Sequence, residues 1–508
     1  MRLFLGFDCG TQGLTAMVLG ITPLGPAVVF EHSLDFDRDC PEFHTRHGVH
    51  AGDDALTVTA PPAMWAAALD RMLGLIAREV DVRRIAAISG SAQQHGTVYL
   101  RDGVRAGRFD SASLSRPESP VWMDESTRAQ CDAIDTALGG ADATARLTGS
   151  PATERFAGPQ IRKFYEHAAP AYEATGRIHL VSSFLASILA GTDAPLEPGD
   201  AAGMNLMDIG RGEWSPAALA ATAPRLRERL PSLGPSSTIA GPLDIYWRER
   251  YGFPAASVVV WTGDNPSSLV GTGLVREGDV GISLGTSDTV FAYREALPPP
   301  GAASHVFGSP TGGYMGLVCF RNGSLARERI RDRFGLDWAE FAAALRSTPA
   351  GNGGALLVPW FEPEITPRRP AGVRSSGLAE ADGAAHVRAV VEAQVLAMAI
   401  HSQALSGRCR RIVATGGASV NREILQVIAD VFETEVYQDA GGNAACLGAA
   451  LRAWQAHESA AGRPRPWDEI VDGITDPPPA TRIAPIAAHA AIYREMRTRY
   501  AEFETAEA

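Results

Sequence analysis

Two stretches of the sequence, about 270 residues apart, share one design, and together they constrain the fold more than any other feature. Residues 3–20 read LFLGFDCGTQGLTAMVLG and residues 279–294 read DVGISLGTSDTVFAYR. Each is an apolar run, a Gly-Thr pair among small polar residues, and a second apolar run. Apolar runs flanking a glycine turn predict a β-hairpin. Backbone N–H groups at such a turn, with the hydroxyls of Thr11 and Thr286, can point at phosphate oxygens without help from any lysine. Two copies predict two similar lobes, each presenting one loop to a shared cleft. The boundary falls near residues 265–280, giving domains 1–270 and 271–508.

The rest of the chain alternates strands and helices. IAAISG (85–90) and VVVWTGD (258–264) have the composition of buried strands, and residues 61–80 and 125–138 have the periodicity of amphipathic helices. After the second loop come an expected strand over 355–361, a helix around 391–405, the strand RIVATGG, and a helix from Asn421. This alternation predicts an α/β fold, and 508 residues suffice for at least two domains. The tail after about residue 456, rich in Pro and Ala, is expected to pack over the surface.

Several function classes are excluded at this level. The one lysine, Lys163, sits in IRKFYE, so neither a P-loop nor a protein-kinase lysine motif can be built. No G-x-G-x-x-G occurs, which removes the dinucleotide fingerprint. A formal net charge of −12 argues against nucleic-acid and anionic-membrane partners. Apolar stretches such as LVSSFLASILAG fall short of the roughly 20 residues that cross a bilayer. The six cysteines are scattered, without a Cys-x-x-Cys pair, which suits a reducing compartment. These features set the expectation of a cytoplasmic protein.

Candidate chemistry gathers around a few polar residues at strand ends. Asp264, in TGDNP, follows the strand VVVW, where ligands of open α/β sheets bind. A carboxylate there can take a proton from an attacking hydroxyl, although by turn chemistry alone an Asp-Asn-Pro turn capping the next helix is the commoner case. Asp8, at the end of the first strand, is placed to hold Mg²⁺ through water. Gln93, Gln94 and His95 follow another strand and can bind hydroxyl groups. Gly416 and Gly417 would let a flat ring approach the backbone. His44, His47 and His50, three apart near Cys40, match no standard metal-ligand spacing.

In order, DCGTQ, QQHG, WMDEST, TGDNPSSL, SLGTSDT and TGGASVNREILQVIAD resemble the FGGY family of carbohydrate kinases over nearly the whole chain. EFHTRHGVH, SPATERFAGPQI, MNLMDI and GNGGALL are most similar to the eukaryotic-type branch of that family, which acts on D-xylulose. The resemblance implies two actin-like (ribonuclease H-like) ATPase domains flanking a central cleft, ATP and Mg²⁺ as cofactors, and phosphorylation of D-xylulose to D-xylulose 5-phosphate. It implies that Asp264 is the general base and that Gln94, His95, Arg155, Asp264 and Asn265 hold the sugar. Thr11, Gln12, Gly285, Thr286 and Ser287 would serve the phosphates. Gly416, Gly417, Ala418 and Asn421 would contact the nucleotide, with Trp338 beside its adenine, and Asp8 would serve Mg²⁺. The resemblance departs at Thr15, where relatives carry a lysine or arginine. That implies that a phosphate donor is missing or comes from elsewhere. Expected partners are a small sugar and ATP; a homodimer is compatible, though no feature requires one.

Three other readings stand beside this one. The first keeps the chemistry with ribulose, another ketose or xylitol as substrate. The second is a non-catalytic binder of sugar or nucleotide, supported only by Thr15. The third is a hydrolase, since residues 281–285 match G-x-S-x-G around Ser283; strand-forming residues follow where that motif demands a helix.

Overall fold

The computed structural model describes residues 1–23, 25–102, 109–299, 304–439 and 441–506. The first lobe is built on β1 (Arg2–Cys9), β2 (Gly13–Thr22), β3 (Gly25–Asp35), β4 (Ile85–Ala92), β5 (Ile239–Pro242), β6 (Ser257–Val259) and β7 (Thr262–Gly263). They form one seven-stranded sheet in the order β5-β6-β4-β1-β2-β3, with β7 also pairing β4. β1 to β3 are antiparallel, whereas β1, β4 and β6 run parallel. Helix α1 (Pro62–Glu79) packs its apolar stripe, including Trp65, Leu69, Met72 and Ile76, toward the sheet. The short α2 (Pro198–Ala201) packs beside β7, and α3 (Asp264–Gly271) begins with Asp264.

The second lobe repeats this plan. Its strands are β8 (Asp279–Leu284), β9 (Asp288–Arg294), β10 (His305–Gly308), β11 (Tyr314–Phe320), β12 (Arg411–Thr415) and β13 (Val436–Gln438). Their order is β10-β11-β9-β8-β12-β13. The β8–β9 and β9–β11 pairs are antiparallel, and β8, β12 and β13 run parallel. Thus β3-β2-β1-β4-β6 and β11-β9-β8-β12-β13 are the same arrangement, and the two Gly-Thr turns occupy equivalent hairpins. The expected strand 258–264 is interrupted at Val260 and Trp261, and only Thr262–Gly263 resumes pairing.

The longer helices of this half are α4 (Ser324–Arg333), α5 (Trp338–Ser347), α6 (Gly383–His401), α7 (Arg422–Phe432), α8 (Ala444–Ala460) and α9 (Ala490–Thr505). Two expectations are corrected here. By length and composition α6 is apolar enough to cross a membrane, but 72% of its apolar window is buried in the protein. Its buried Arg388 and Glu392 pair at 2.7 Å, as in a core helix. The tail is more than a surface cover: Tyr493, Met496 and Tyr500 form a buried stripe on α9, and the Tyr493 hydroxyl donates to Glu392 at 2.8 Å.

Helix α8 lies after the second-lobe strands in sequence, yet it packs on the first-lobe sheet. Its Ala450, Leu451 and Trp454 share a core with Phe4, Leu19, Ala87 and Val270. A Cβ on Gly6 would sit 2.5 Å from the Cys446 carbonyl oxygen, and one on Gly448 would sit 2.0 Å from that of Ser267. Only glycine permits such contact between backbones. In the other direction, β10 docks on the first lobe, with the Val306 amide donating to the Gly149 carbonyl at 2.8 Å.

Candidate active site

The carboxyl ends of β1, β4 and β7 meet at one place. Asp8 is half-buried; Oδ1 accepts from the Ser91 hydroxyl at 2.8 Å and Oδ2 from the Asn443 amide at 3.1 Å. Burial pushes its pKa up, an effect partly offset by these two hydrogen bonds. Asp264 opens α3, with Gly263 as the cap, so it is not the capping residue of an Asp-Asn-Pro turn. Its Oδ1 accepts from the Asn265 amide at 2.8 Å. Burial, and then the charge of Asp8, push its pKa up to about 7. Neither carboxylate has an ion-pair partner among the described residues. Two oxygen ligands of like charge, held only by neutral donors, fit a hard divalent cation.

Beside them lies a cluster of polar side chains. Asn265 Nδ2 donates to Gln94 Oε1 at 3.0 Å, while Gln94 Nε2 and both amide atoms of Gln93 are buried without a partner. His95 has a φ of 73°, and its Nδ1 meets the Gly203 carbonyl at 2.9 Å. A carbonyl only accepts, so Nδ1 carries the proton and Nε2 is left as an acceptor. Burial, followed by the charge of Arg155, lowers the His95 pKa to about 3, so the ring is neutral. It stacks on Phe156 with centroids 4.3 Å apart. Arg155 is half-buried with no ion-pair partner among the described residues. His305, from β10 of the second lobe, bonds Ser150 Oγ at 3.0 Å, and burial lowers its pKa to about 4. Both lobes therefore contribute to this cluster of neutral rings and amides beside the one cation of Arg155, a set of donors and acceptors that suits a polyhydroxyl ligand.

The two Gly-Thr turns flank the cleft. Thr11 Oγ1 accepts from Trp122 Nε1 at 2.7 Å, and Gln12 is exposed. The His44–His50 segment supports this turn: a Cβ on Gly48 would lie 2.0 Å from the Thr11 carbonyl oxygen. Asp37 anchors that segment by accepting from the Gly48 amide at 3.0 Å. No His/Cys/Asp/Glu group able to hold a metal is found there among the described residues. Thr15 lies opposite Asp8 in the hairpin, and its hydroxyl is bonded to Ser33 at 2.8 Å.

In the second turn Gly285 is half-buried and Thr286 and Ser287 are exposed. Ser283 pairs with Thr289 across a hairpin, so the strand-to-helix elbow of a hydrolase is not formed. Gly416 (φ 84°) approaches β8 so closely that a Cβ would lie 2.6 Å from the Leu284 oxygen, and Gly417 faces open space. Ala418 is half-buried, while Asn421 spends its Oδ1 capping α7, accepting from the Glu423 and Ile424 amides at 3.0 and 3.3 Å. Trp338 starts α5, 44% exposed, with Arg331 4.5 Å over its ring.

The comparisons with known proteins agree with this architecture. The N-terminal domain of the FGGY family of carbohydrate kinases matches residues 3–271, and its C-terminal domain matches residues 280–457. The chain belongs to the FGGY family of carbohydrate kinases. A xylulose kinase of Rattus norvegicus is 41% identical over 99% of this chain and 96% of its own length. Xylulose kinase 2 of Arabidopsis thaliana is 41% identical, covering 89% of this chain and 86% of its own length. The crystal structure of xylulose kinase from Rhodospirillum rubrum superposes with a TM-score of 0.83 at 18% identity, over 99% of this chain and 98% of that one.

Within this family frame, the structure gathers Asp8, Gln94, His95, Asp264 and Asn265 into one cluster. Three contributors escape sequence reading. Ser91 and Asn443 hold Asp8. Arg452, fully buried on α8, donates to the Gly90 and Val260 carbonyls at 3.0 and 2.7 Å, pinning the strands that lead to Ser91 and Asp264. Asn443 opens a helix after two glycines, a recognisable cap signal, but nothing local ties it to a residue 435 positions away.

Proposed function

We propose that this carbohydrate kinase transfers the γ-phosphoryl group of ATP to the terminal hydroxyl of D-xylulose, releasing ADP and D-xylulose 5-phosphate. The observation that carries the reading is the half-buried Asp264, pushed up to about 7 beside Asp8 and the polar set of Gln94, His95 and Asn265. At that pKa the carboxylate is ionised enough to act and basic enough to take the hydroxyl proton near neutral pH. The freed oxygen forms its bond to the γ-phosphorus as the bond to the bridging oxygen of ADP breaks, and the proton stays on Asp264. His95 Nε2, Gln94, Asn265 and Arg155 orient the sugar, and such positioning supplies much of phosphoryl transfer. Thr11, Gln12, Gly285, Thr286 and Ser287 offer hydroxyl, amide and backbone donors to phosphate oxygens. Gly416, Gly417 and Ala418 form the backbone floor toward the nucleotide base, with Asn421 and Trp338 at its edge. Mg²⁺, when bound, supplies positive charge to the phosphates, and Asp8 would hold it through water. Acidic net charge and six free cysteines support a cytoplasmic setting.

The test is a coupled ADP-release assay with Mg·ATP against D-xylulose, L-xylulose, D-ribulose, L-ribulose, xylitol and glycerol. A clear kcat/KM preference for D-xylulose is expected. Preference for another sugar retains the chemistry and replaces the substrate. No sugar-stimulated ADP release from folded protein would leave a binder in place of an enzyme.

A further inference from the structure

We infer that Asn443 is a positioning residue for phosphoryl transfer, orienting the Asp8 carboxylate from the point where the chain passes out of the second lobe and onto the first. The inference rests on the reading of Asp8 as the Mg²⁺-bearing carboxylate. Asn443 follows Gly441 and Gly442, whose φ values of 81° and 122° lie in the left-handed region, and it caps α8. Its Oδ1 accepts from the Cys446 amide at 2.8 Å. That bond fixes which way the side-chain amide faces. Nδ2 is therefore turned to Asp8 Oδ2, at 3.1 Å.

The helix behind Asn443 is held in register. The Cys446 thiol lies 3.4 Å from the Gly6 carbonyl oxygen, the Ser267 hydroxyl donates to the Ala445 carbonyl at 2.8 Å, and Arg452 grips the ends of β4 and β6. α8 thus spans β1, which carries Asp8 one residue before its end, and α3, which begins with Asp264. With Ser91 on the other oxygen, Asp8 is fixed by two neutral donors, which orient the carboxylate without cancelling its charge. An arginine or lysine at position 443 would compete with the cation; an amide does not.

A cap alone would explain Asn443 Oδ1 but not the bond from Nδ2. Serine and aspartate cap helices about as well as asparagine, so N443S and N443D separate the two roles. N443S keeps the capping oxygen and removes the amide donor; N443D keeps it and turns a second carboxylate toward Asp8. The measurements are the melting temperature, kcat and KM with the preferred sugar, and calorimetric ADP affinity as a function of Mg²⁺ without sugar. In N443S the melting temperature is expected to change little, kcat to fall about tenfold, as for loss of a hydrogen bond to a charged group, and the sugar KM to stay within about twofold on the same grounds. The Mg²⁺ dependence of ADP affinity should weaken alongside. In a D8N background, N443S should add almost nothing.

N443S with wild-type kcat and Mg²⁺ dependence would overturn the inference, as would an equal loss in the D8N background. If N443S melts early, N443D decides: a normal melt with lowered kcat supports the inference, and a normal melt with wild-type kcat removes it. D8N with wild-type turnover would instead remove the underlying reading of Asp8, whereas a crippled D8N beside a normal N443S would remove the inference alone.

Discussion

The two Gly-Thr hairpins share strand order and turn position but differ in how their carboxylates are compensated. In the first, Asp8 is the penultimate residue of β1 and is held by the neutral Ser91 and Asn443. In the second, Asp288 begins β9 and is buried in a two-pronged pair with Arg327, at 2.7 and 3.0 Å, while Arg327 also reaches Gln394 at 2.8 Å. A guanidinium fork settles a carboxylate's charge in place, so the second turn is electrostatically closed and offers only its amides and hydroxyls. Neutral donors leave the first turn's charge available, and Asp264 feels it directly. On the proposed reading, one backbone device serves two tasks: the first turn works with the reacting groups and the second grips.

If this contrast is right, breaking the second clamp should cost stability before chemistry. Arg327→Met leaves Asp288 buried and unpaired, and urea unfolding should show a loss of about 3–5 kcal/mol. Removing Asp288 as well, in an R327M/D288N double variant, should recover much of it. At the first turn the order reverses: Asp8→Ala should lower kcat by about 10²–10³-fold, the size found on removing an electrostatic stabiliser. Its melting temperature should hold, because the repulsion with Asp264 is also removed.

The contrast sharpens with pH. Asp264 must be ionised to act as base, so kcat/KM should fall about tenfold per pH unit below about 7. The sign for stability is opposite. A carboxyl whose folded pKa lies above its unfolded one contributes stability that is full below the ordinary carboxylate range and is lost as pH rises through about 7. Melting curves from pH 5 to 8 should therefore be flatter in Asp264→Asn than in wild type. The smallest effect belongs to the gripping turn: Thr286→Ala should raise the ATP KM about fivefold, the worth of one neutral hydrogen bond, and leave kcat nearly unchanged.

Much of this was legible in the sequence because it is local. The hairpins, the strand ending near Asp8 and the helix starting after Asn421 follow from short-range periodicity and turn chemistry, and family motifs marked Asp264 and His95. Contacts between distant segments were not legible. That α8 returns to the first lobe depends on Gly6 and Gly448 fitting against Cys446 and Ser267, which no spacing announces. The His44–His50 segment, whose spacing matches no standard metal-ligand pattern, is a buttress under Thr11 because Gly48 can touch that backbone. The buried stripe of α9 was present at helical spacing and was obscured by the Pro- and Ala-rich residues before it.

The central claim is that Asp264, at the start of α3 and beside Asp8 of the first hairpin, is the base in a sugar kinase. The most direct measurement is sugar-dependent ADP release by Asp264→Asn, alongside calorimetric binding of D-xylulose. The expected result is a folded protein that binds the sugar within a few-fold of wild type while turnover drops by at least about 10²-fold. Near-normal turnover in that variant would contradict the claim and move the base elsewhere in the cleft.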